Sequence, residues 1–264
     1  MNRQTAVAGT FYPNSCNEIK QHITHFSDIL RDSDFNPSLD FIPKAIIVPH
    51  AGYIYSGFTA NVAYSLLDNI EAKTVVIIGP SHKFGFEGAS IALFDEYISP
   101  CGNLPIDKNY SNKLLKEFDF LNFSEKVHCE HSTETQVPFI KHYLPNVNVV
   151  EIVYSNIRSS ILEQLVSKII SNKDTFLVIS TDLSHFHDLK KANILDNIGL
   201  NAVDKLDLDI WNSGCEACGR TGVKALIKSA NNLNLQSKVL DYRTSYDMTK
   251  DDTSVVGYMS AVLG

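Results

Sequence analysis

The sequence predicts an α/β fold: one domain in which a central, largely parallel sheet is flanked by helices on both faces. Short runs of β-branched and aliphatic residues end in turn residues, which is typical of strands buried on both faces of a sheet. Helical patterns lie between these runs, and strands that alternate with helices favour a parallel sheet. The 264 residues contain no internal repeat and no linker rich in Pro, Gly or Ser, so a single domain over residues 1–264 is expected.

Each strand is predicted from its apolar run. Residues 44–49, 74–78 and 175–179 are nearly continuous aliphatic runs that are followed by turn residues, and residues 147–153 form a similar run. The late strands are predicted over residues 238–242 and 254–263. Helices are predicted over residues 56–67, 135–144, 160–170, 189–206 and 219–229. In the third of these helices, Ile161, Leu165 and Ile169 recur at the spacing of one helix face.

The charge and hydropathy of the chain argue against several classes of protein. A net charge of -7 provides no basic patch for nucleic acid. No apolar run approaches the ~18 residues of a membrane span, and residues 1–13 lack the apolar core of a signal peptide. We therefore expect a cytoplasmic protein that contacts neither nucleic acid nor membrane. The five cysteines are an odd number, which predicts free thiols rather than a disulfide framework.

Three predicted strands are each followed by a histidine within a few residues. These histidines are His50, His82 and His185. Ligands of open α/β sheets bind outside the carboxyl ends of the strands, so imidazoles that follow neighbouring strands would project into one crevice. A single histidine after a strand is more often a hydrogen-bonded loop residue, but three in equivalent places favour a metal site.

Three further residues are candidates for the same crevice. His131 precedes the helix predicted over 135–144, and Cys218 precedes the helix over 219–229, where a helix N-terminus is expected to lower the pKa of a thiol. Neutral imidazole and thiolate bind Fe, Zn or Cu rather than Mg or Ca. Asp182 is interpreted either as a carboxylate that orients a neighbouring histidine or as a capping residue. The other histidines are interpreted as surface or locally hydrogen-bonded residues: His22, His25, His128, His142 and His187.

Seven segments, in order along the whole chain, match the pattern of one known family. They are Arg3 with AVAGTFYP at 6–13, VPHAGYIYSG at 48–57, GPSH at 79–82, EHSTE at 130–134, STDLSH at 180–185, CGR at 218–220 and SVVGY at 254–258. The chain resembles a MEMO-family protein, which is protein B of the bacterial and archaeal AmmeMemoRadiSam system.

The resemblance implies a fold and a site. The family is similar in fold to the LigB-type class III extradiol dioxygenases, an architecture of the phosphorylase/hydrolase-like kind, and these enzymes use Fe(II). By this resemblance His50 and His82 would be metal ligands, and Cys218 would occupy the third position, where the dioxygenases have a glutamate. His185 would match their acid/base histidine, and His131 would line the same pocket. Because thiolate is softer than carboxylate, Cu or Zn is an alternative to Fe(II).

Two functions follow from this resemblance, and whether the protein is an enzyme stays open at this point. The first is an Fe(II)- or Cu-dependent oxidoreductase of dioxygenase-like activity, in which His185, His131 and Asp182 would act in catalysis. The alternative is a non-catalytic protein that handles metal or binds a peptide or partner. Either a small molecule or a peptide would bind in the metal pocket. Genes of this family usually lie beside genes for AMMECR-type and radical-SAM proteins, so the resemblance implies a functional link to those proteins. Metal-assisted hydrolysis is a third hypothesis, for which no residue selects a scissile bond.

Overall fold

The structure is a computed structural model that describes residues 1–33, 39–67 and 70–264, and its strands and helices alternate along much of the chain. The strands are β1 Ala45–Val48, β2 Thr74–Pro80, β3 Ala89–Ile91, β4 Glu96–Tyr97, β5 Leu104–Pro105, β6 Leu121–Asn122, β7 Asn148–Tyr154, β8 Thr175–Ser180, β9 His185–His187, β10 Ser237–Thr244 and β11 Val255–Leu263. The helices are α1 Cys16–Asp32, α2 Tyr53–Tyr64, α3 Lys108–Glu117, α4 His131–Glu134, α5 Val137–Tyr143, α6 Ser159–Ile170, α7 Leu189–Asp204, α8 Leu208–Asn212, α9 Arg220–Asn232 and α10 Tyr246–Thr249.

Within the described ranges, nine strands form one mixed sheet. Eight of them follow the order β10-β11-β1-β8-β2-β7-β3-β6, and β9 pairs with β11. The four central strands β1, β8, β2 and β7 are parallel to one another. Antiparallel pairs join β11 to β1 on one side and β3 to β7 on the other. The predicted α/β fold with a largely parallel central sheet is confirmed.

Two hydrophobic cores lie on opposite faces of this sheet, which explains the continuous apolar runs. In β1, the side chains of Ala45 and Ile47 belong to one core, and those of Ile46 and Val48 belong to the other. Helices α6, α7 and α9 cover the first face, and α1, α2 and α5 cover the second. Because successive side chains of a strand point to opposite faces, a strand that is covered on both faces must be apolar throughout.

Strands β3, β4, β5, β6 and β9 and helices α3, α8 and α10 were not predicted, and three further differences concern α1, α2 and the pair α4 and α5. Helix α1 was not predicted; its buried residues Ile19, Ile23 and Phe26 lie on one face of an otherwise polar segment. Helix α2 begins at Tyr53 rather than at residue 56. The helix predicted over 135–144 is divided into α4 and α5, with Pro138 near the start of α5, where the missing N–H of proline costs no hydrogen bond.

The cysteines also differ from expectation. Cys16 and Cys101 form a disulfide, so the prediction of free thiols is wrong for this pair. No spacing rule joins two cysteines that lie 85 residues apart. Cys129, Cys215 and Cys218 are free, as predicted. Within the described residues, every helix is too short or too polar to cross a bilayer.

Candidate metal centre

Two strand ends position the histidines of the candidate centre. His50 follows β1 and His82 follows β2, and β8 lies between these two strands in the sheet. The two imidazole rings meet edge to face, with their centroids 5.1 Å apart. The ligand atoms of His50, His82 and Cys218 all lie within 4.8 Å of one another. Two of the three histidines that follow strands thus converge with Cys218, and these three residues are the ligand set that the family resemblance implies.

Cys218 reaches the centre because the segment before α9 packs closely on the end of β8. A Cβ atom at Gly219 would lie 2.5 Å from Cβ of Thr181, so only glycine allows this approach. The N–H of Gly219 donates to Oγ1 of Thr181 at 2.9 Å, and the N–H of Asp182 donates to Sγ of Cys218 at 3.2 Å. The sulfur consequently lies 3.2 Å from Nε2 of His50.

Ser180, at the end of β8, determines which nitrogen of His50 carries the proton. Its hydroxyl donates to the carbonyl oxygen of Ser132 at 2.5 Å, so its oxygen accepts the other bonds that it makes. One comes from Nε2 of Gln136 at 3.0 Å, and the other comes from Nδ1 of His50 at 2.9 Å. Nδ1 of His50 is therefore protonated, and the Nε2 lone pair faces Cys218.

The pKa of His50 is lowered well below its usual value. Burial is the largest cause, and the neighbouring His82 and His131 lower the pKa further. His50 is therefore neutral, which is the form of imidazole that coordinates metal.

A buried carboxylate holds the other two imidazoles. Oε1 of Glu130 accepts hydrogen bonds from Nδ1 of His82 at 3.0 Å and from Nδ1 of His131 at 2.8 Å. Its Oε2 accepts the backbone N–H of His82 at 2.7 Å. Burial alone would raise the pKa of Glu130, but these hydrogen bonds outweigh burial and lower the pKa strongly. As an ionised acceptor, Glu130 fixes the protons of both rings on Nδ1 and leaves each Nε2 free as a ligand atom.

The environment of Cys218 differs from the one that was predicted. Burial, followed by the charge of Asp182, raises the pKa of the Cys218 thiol to about 12, whereas the helix N-terminus was expected to lower it. Desolvation outweighs the hydrogen bonds from backbone N–H groups, and without a metal ion the sulfur is protonated. A coordinated metal ion deprotonates a thiol outright, so the raised pKa is compatible with a ligand role.

The three residues predicted to act in catalysis do not belong to the group formed by His50, His82 and Cys218. Oδ1 of Asp182 accepts the backbone N–H of His50 at 2.7 Å, so this carboxylate fixes the main chain of the ligand rather than its ring. Burial raises the pKa of Asp182 despite that hydrogen bond. His185 lies on β9, paired with Val256 of β11, and its charge acts on both His50 and Asp182. His131 groups instead with His82 and Glu130.

The N-terminal segment forms one wall of the centre, and this contact was not predicted from the sequence. The ring of Phe11 packs on His131 with centroids 4.7 Å apart, and its carbonyl accepts the N–H of Tyr53 at 2.8 Å. The buried carboxylate of Glu134, at the end of α4, holds this segment in place. Its donors are the N–H groups of Ala6 and Val7 at 2.7 and 2.9 Å, the Tyr12 hydroxyl at 3.0 Å and the Arg3 guanidinium at 2.6 Å.

No role was predicted for Ser180 or Glu130. The sequence signal for Ser180 is a polar residue at the end of a buried apolar strand, and the signal for Glu130 is a carboxylate next to a candidate ligand histidine. Among the remaining histidines, His128 is buried rather than at the surface. Its Nδ1 lies 2.9 Å from Oε2 of Glu151.

Comparison with known proteins gives one consistent result. The family model described as Memo-like protein matches residues 3–262 of the chain. A MEMO1 family protein of Aquifex aeolicus is 32% identical over 271 residues, which cover 98% of each chain. A MEMO1 family protein of Methanococcus maripaludis is 31% identical over 285 residues and covers 100% of both chains. A third, from Thermoplasma volcanium, is 29% identical over 273 residues and covers 99% of this chain and 98% of its own.

Proposed function

The chain belongs to the Memo-like protein family, and on this premise we propose that it binds one metal ion through His50, His82 and Cys218 and supports redox chemistry there. Fe(II) is the metal that we propose, and Cu and Zn are its competitors for the same three donors. The observation that carries the proposal is the convergence of two imidazoles and one thiol, with all their ligand atoms within 4.8 Å of one another.

The chemistry of the donor set supports the choice of metal. Two neutral imidazoles and a sulfur suit Fe, Cu or Zn, whereas Mg and Ca prefer oxygen donors. Three protein ligands leave positions open for a further ligand, which is typical of catalytic rather than structural sites. When bound, Fe(II) or Cu would supply a centre that can change its oxidation state. The buried pair of His50 and its Ser180 acceptor holds one donor in the required tautomer.

The surrounding residues support roles in handling protons. We assign His185 as the acid/base residue, because it is half-exposed at the edge of the centre and interacts electrostatically with His50 and Asp182. Asp182 holds the His50 main chain, and its raised pKa lets it keep a proton more readily than an ordinary carboxyl. His131, held by Glu130, would orient a small molecule or a peptide that binds at the open side.

The first experiment is elemental analysis of protein purified without oxygen. We expect about one Fe or Cu ion per chain in the wild type and its loss in His50→Ala, His82→Ala and Cys218→Ala variants. Matched controls are His25→Ala and Cys129→Ala, which remove exposed side chains outside the ligand group and should retain the metal. A wild type that stays free of metal after anaerobic loading with Fe(II), Cu(I) and Zn(II) would overturn the proposal.

A non-catalytic role for the same metal site is the second candidate. The observation that favours it is the thiol of Cys218, because a soft sulfur ligand stabilises Cu(I) and Zn more than a carboxylate does. Oxygen uptake by the metal-loaded protein with a panel of catechols and reductants separates the two candidates. Uptake that disappears in His185→Ala supports the oxidoreductase, and full metal retention without uptake supports metal handling.

A further inference from the structure

On the face of the molecule that carries α1, we propose that the Cys16–Cys101 disulfide is a site of thiol–disulfide exchange with a small anionic thiol. Cys101 lines a cavity of about 350 Å³ that can hold such a molecule. Its other lining residues are Ile19, Lys20, Pro138, Lys141 and His142. The exchange needs no metal ion, so this proposal stands independently of the metal centre.

The disulfide is accessible to a reactant. Cys16 and Cys101 are both half-exposed, whereas the free Cys215 is buried. Cys101 lies in the turn between β4 and β5, and Cys16 is the first residue of the 17-residue helix α1. Exchange requires that a thiolate reach one sulfur of the disulfide, and the cavity at Cys101 provides this approach.

Positive charge defines the class of thiol that fits. Nζ of Lys141 donates to the carbonyl oxygens of Asn103 at 3.3 Å and Pro145 at 3.2 Å, which holds its ammonium group over the turn that contains Cys101. Lys20 adds an exposed ammonium group on α1. Of the described residues that line this cavity, none is acidic. Two cations in a lining whose described residues include no carboxylate attract a thiol that carries a carboxylate of its own.

The helix that begins at Cys16 favours the departure of its sulfur. A thiolate at the N-terminus of a long α-helix is stabilised by the helix dipole and by free N–H groups. The N-cap residue of α1, Ser15, makes no side-chain cap hydrogen bond, so the first N–H groups of the helix are not capped by it. A stabilised leaving thiolate accelerates exchange. We therefore expect the small thiolate to attack Cys101 and the sulfur of Cys16 to leave.

The reaction consumes two thiols for each disulfide. The thiolate of the first thiol attacks Sγ of Cys101, the bond between the two protein sulfurs breaks, and Cys16 leaves as a thiolate that takes a proton from solvent. A second thiolate attacks the outer sulfur of the mixed disulfide, which releases the symmetrical disulfide of the small thiol and the thiolate of Cys101. Two electrons pass from the two thiols to the protein.

The test compares an anionic and a neutral thiol on the intact protein. The probes are 3-mercaptopropionate and 2-mercaptoethanol at equal thiolate concentration, and opening of the disulfide is followed by alkylation and intact mass. In the wild type we expect the anionic thiol to react faster. In a Lys20→Glu, Lys141→Glu variant its rate should fall about tenfold, because two nearby charges change sign, while the rate of the neutral thiol should change little.

Two further variants keep the test decisive. Lys20→Glu alone changes an exposed side chain without disturbing the hydrogen bonds of Lys141, and it should give part of the same loss. Lys190→Glu on α7 makes the same charge change on another helix and should leave both rates unchanged. Equal rates for the two thiols in the wild type would overturn the proposal, as would alkylation of Cys16 and Cys101 before any thiol is added.

Discussion

Nε2 of His50 lies 3.2 Å from Sγ of Cys218, although 168 residues separate the two in sequence. The contact depends on a single strand, β8, whose end touches both partners. Ser180 accepts a hydrogen bond from the Nδ1–H group of His50, and Gly219 packs closely against Thr181. The distance between two proposed metal ligands is therefore fixed by packing that exists without the metal, and such preorganisation lowers the cost of binding.

Removing the charge of Glu130 should weaken metal binding without removing a ligand. In Glu130→Gln, the neutral amide oxygen is a weaker acceptor for the two Nδ1–H groups, and the amide nitrogen cannot accept the backbone N–H of His82, so both rings are held less firmly. We expect metal affinity to fall by about 10–100-fold, measured by competition with a chelator. The exposed Glu125→Gln is the control and should bind metal like the wild type.

Metal binding should release a proton from Cys218. The pKa of the thiol is raised to about 12, so at pH 8 the sulfur carries a proton that a coordinated metal ion must displace. Affinity should therefore rise with pH, by about tenfold per pH unit for one proton. Titration calorimetry at pH 8 in buffers of different ionisation enthalpy counts the released protons. Cys218→Ser should release about one proton fewer than the wild type, and equal release by both proteins would contradict the role of the thiol as ligand.

The lowered pKa of His50 predicts that the metal-free protein is less stable in acid. The unfolded chain binds a proton at His50 near pH 6.5, whereas burial keeps the folded form neutral to much lower pH. Protons are thus bound preferentially by the unfolded state, and stability falls as the pH falls below about 6.5. Urea unfolding at pH 7.5 and pH 5.5 measures the effect. His50→Gln should show a smaller difference between the two pH values, and an unchanged difference would rule out His50 as the cause.

Loss of the Ser180 hydroxyl should destabilise the protein and the centre together. In Ser180→Ala, the Nδ1–H of His50 and one N–H of Gln136 lose their buried acceptor. Leaving buried donors unpaired costs about 1–3 kcal/mol, which urea unfolding can measure. Metal affinity should fall as well, because His50 is then free to place its proton on Nε2. The half-exposed Ser155→Ala serves as the comparison and should affect neither quantity strongly.

Breaking the buried ion pair between Arg3 and Glu134 should lower the free energy of unfolding. Glu134→Gln leaves the guanidinium of Arg3 with Glu151, at 3.6 Å, as its remaining carboxylate partner and removes acceptor capacity from a buried cluster of donors, which is expected to cost about 1–3 kcal/mol. The chemical denaturation midpoint reports the loss. An Asp28→Asn variant breaks the exposed pair with Arg31 and should change stability little. Similar effects of the two substitutions would mean that the N-terminal segment is not held by its buried charge.

Much of the fold was predictable because it depends on local pattern. The runs that became β1, β2 and β8 are apolar throughout since both of their faces are covered, and each ends in a turn that leads to a polar residue. His50 and His82 could be placed at one edge of the sheet by the general geometry of parallel strands. Cys218 was a candidate because it precedes a predicted helix, and the family resemblance gave it the third ligand position.

The remaining features depend on contacts that no local pattern encodes. The tautomer of His50 is set by Ser180, 130 residues away, and Ser180 is itself held by Ser132. Glu134 accepts hydrogen bonds from the backbone N–H groups of Ala6 and Val7. Because the side chains of these two residues take no part, their identity does not indicate the interaction. The pKa of the Cys218 thiol was predicted in the wrong direction because helix position is visible in the sequence and burial is not.

The pairing of β1 with β11 has a consequence for the nascent chain on the ribosome. β1 ends at Val48 and its antiparallel neighbour begins at Val255, so β1 is made on the order of 10–40 s before that neighbour exists, at about 5–20 residues per second. Throughout this interval one edge of a fully apolar strand has no native partner and is open to pairing with other chains.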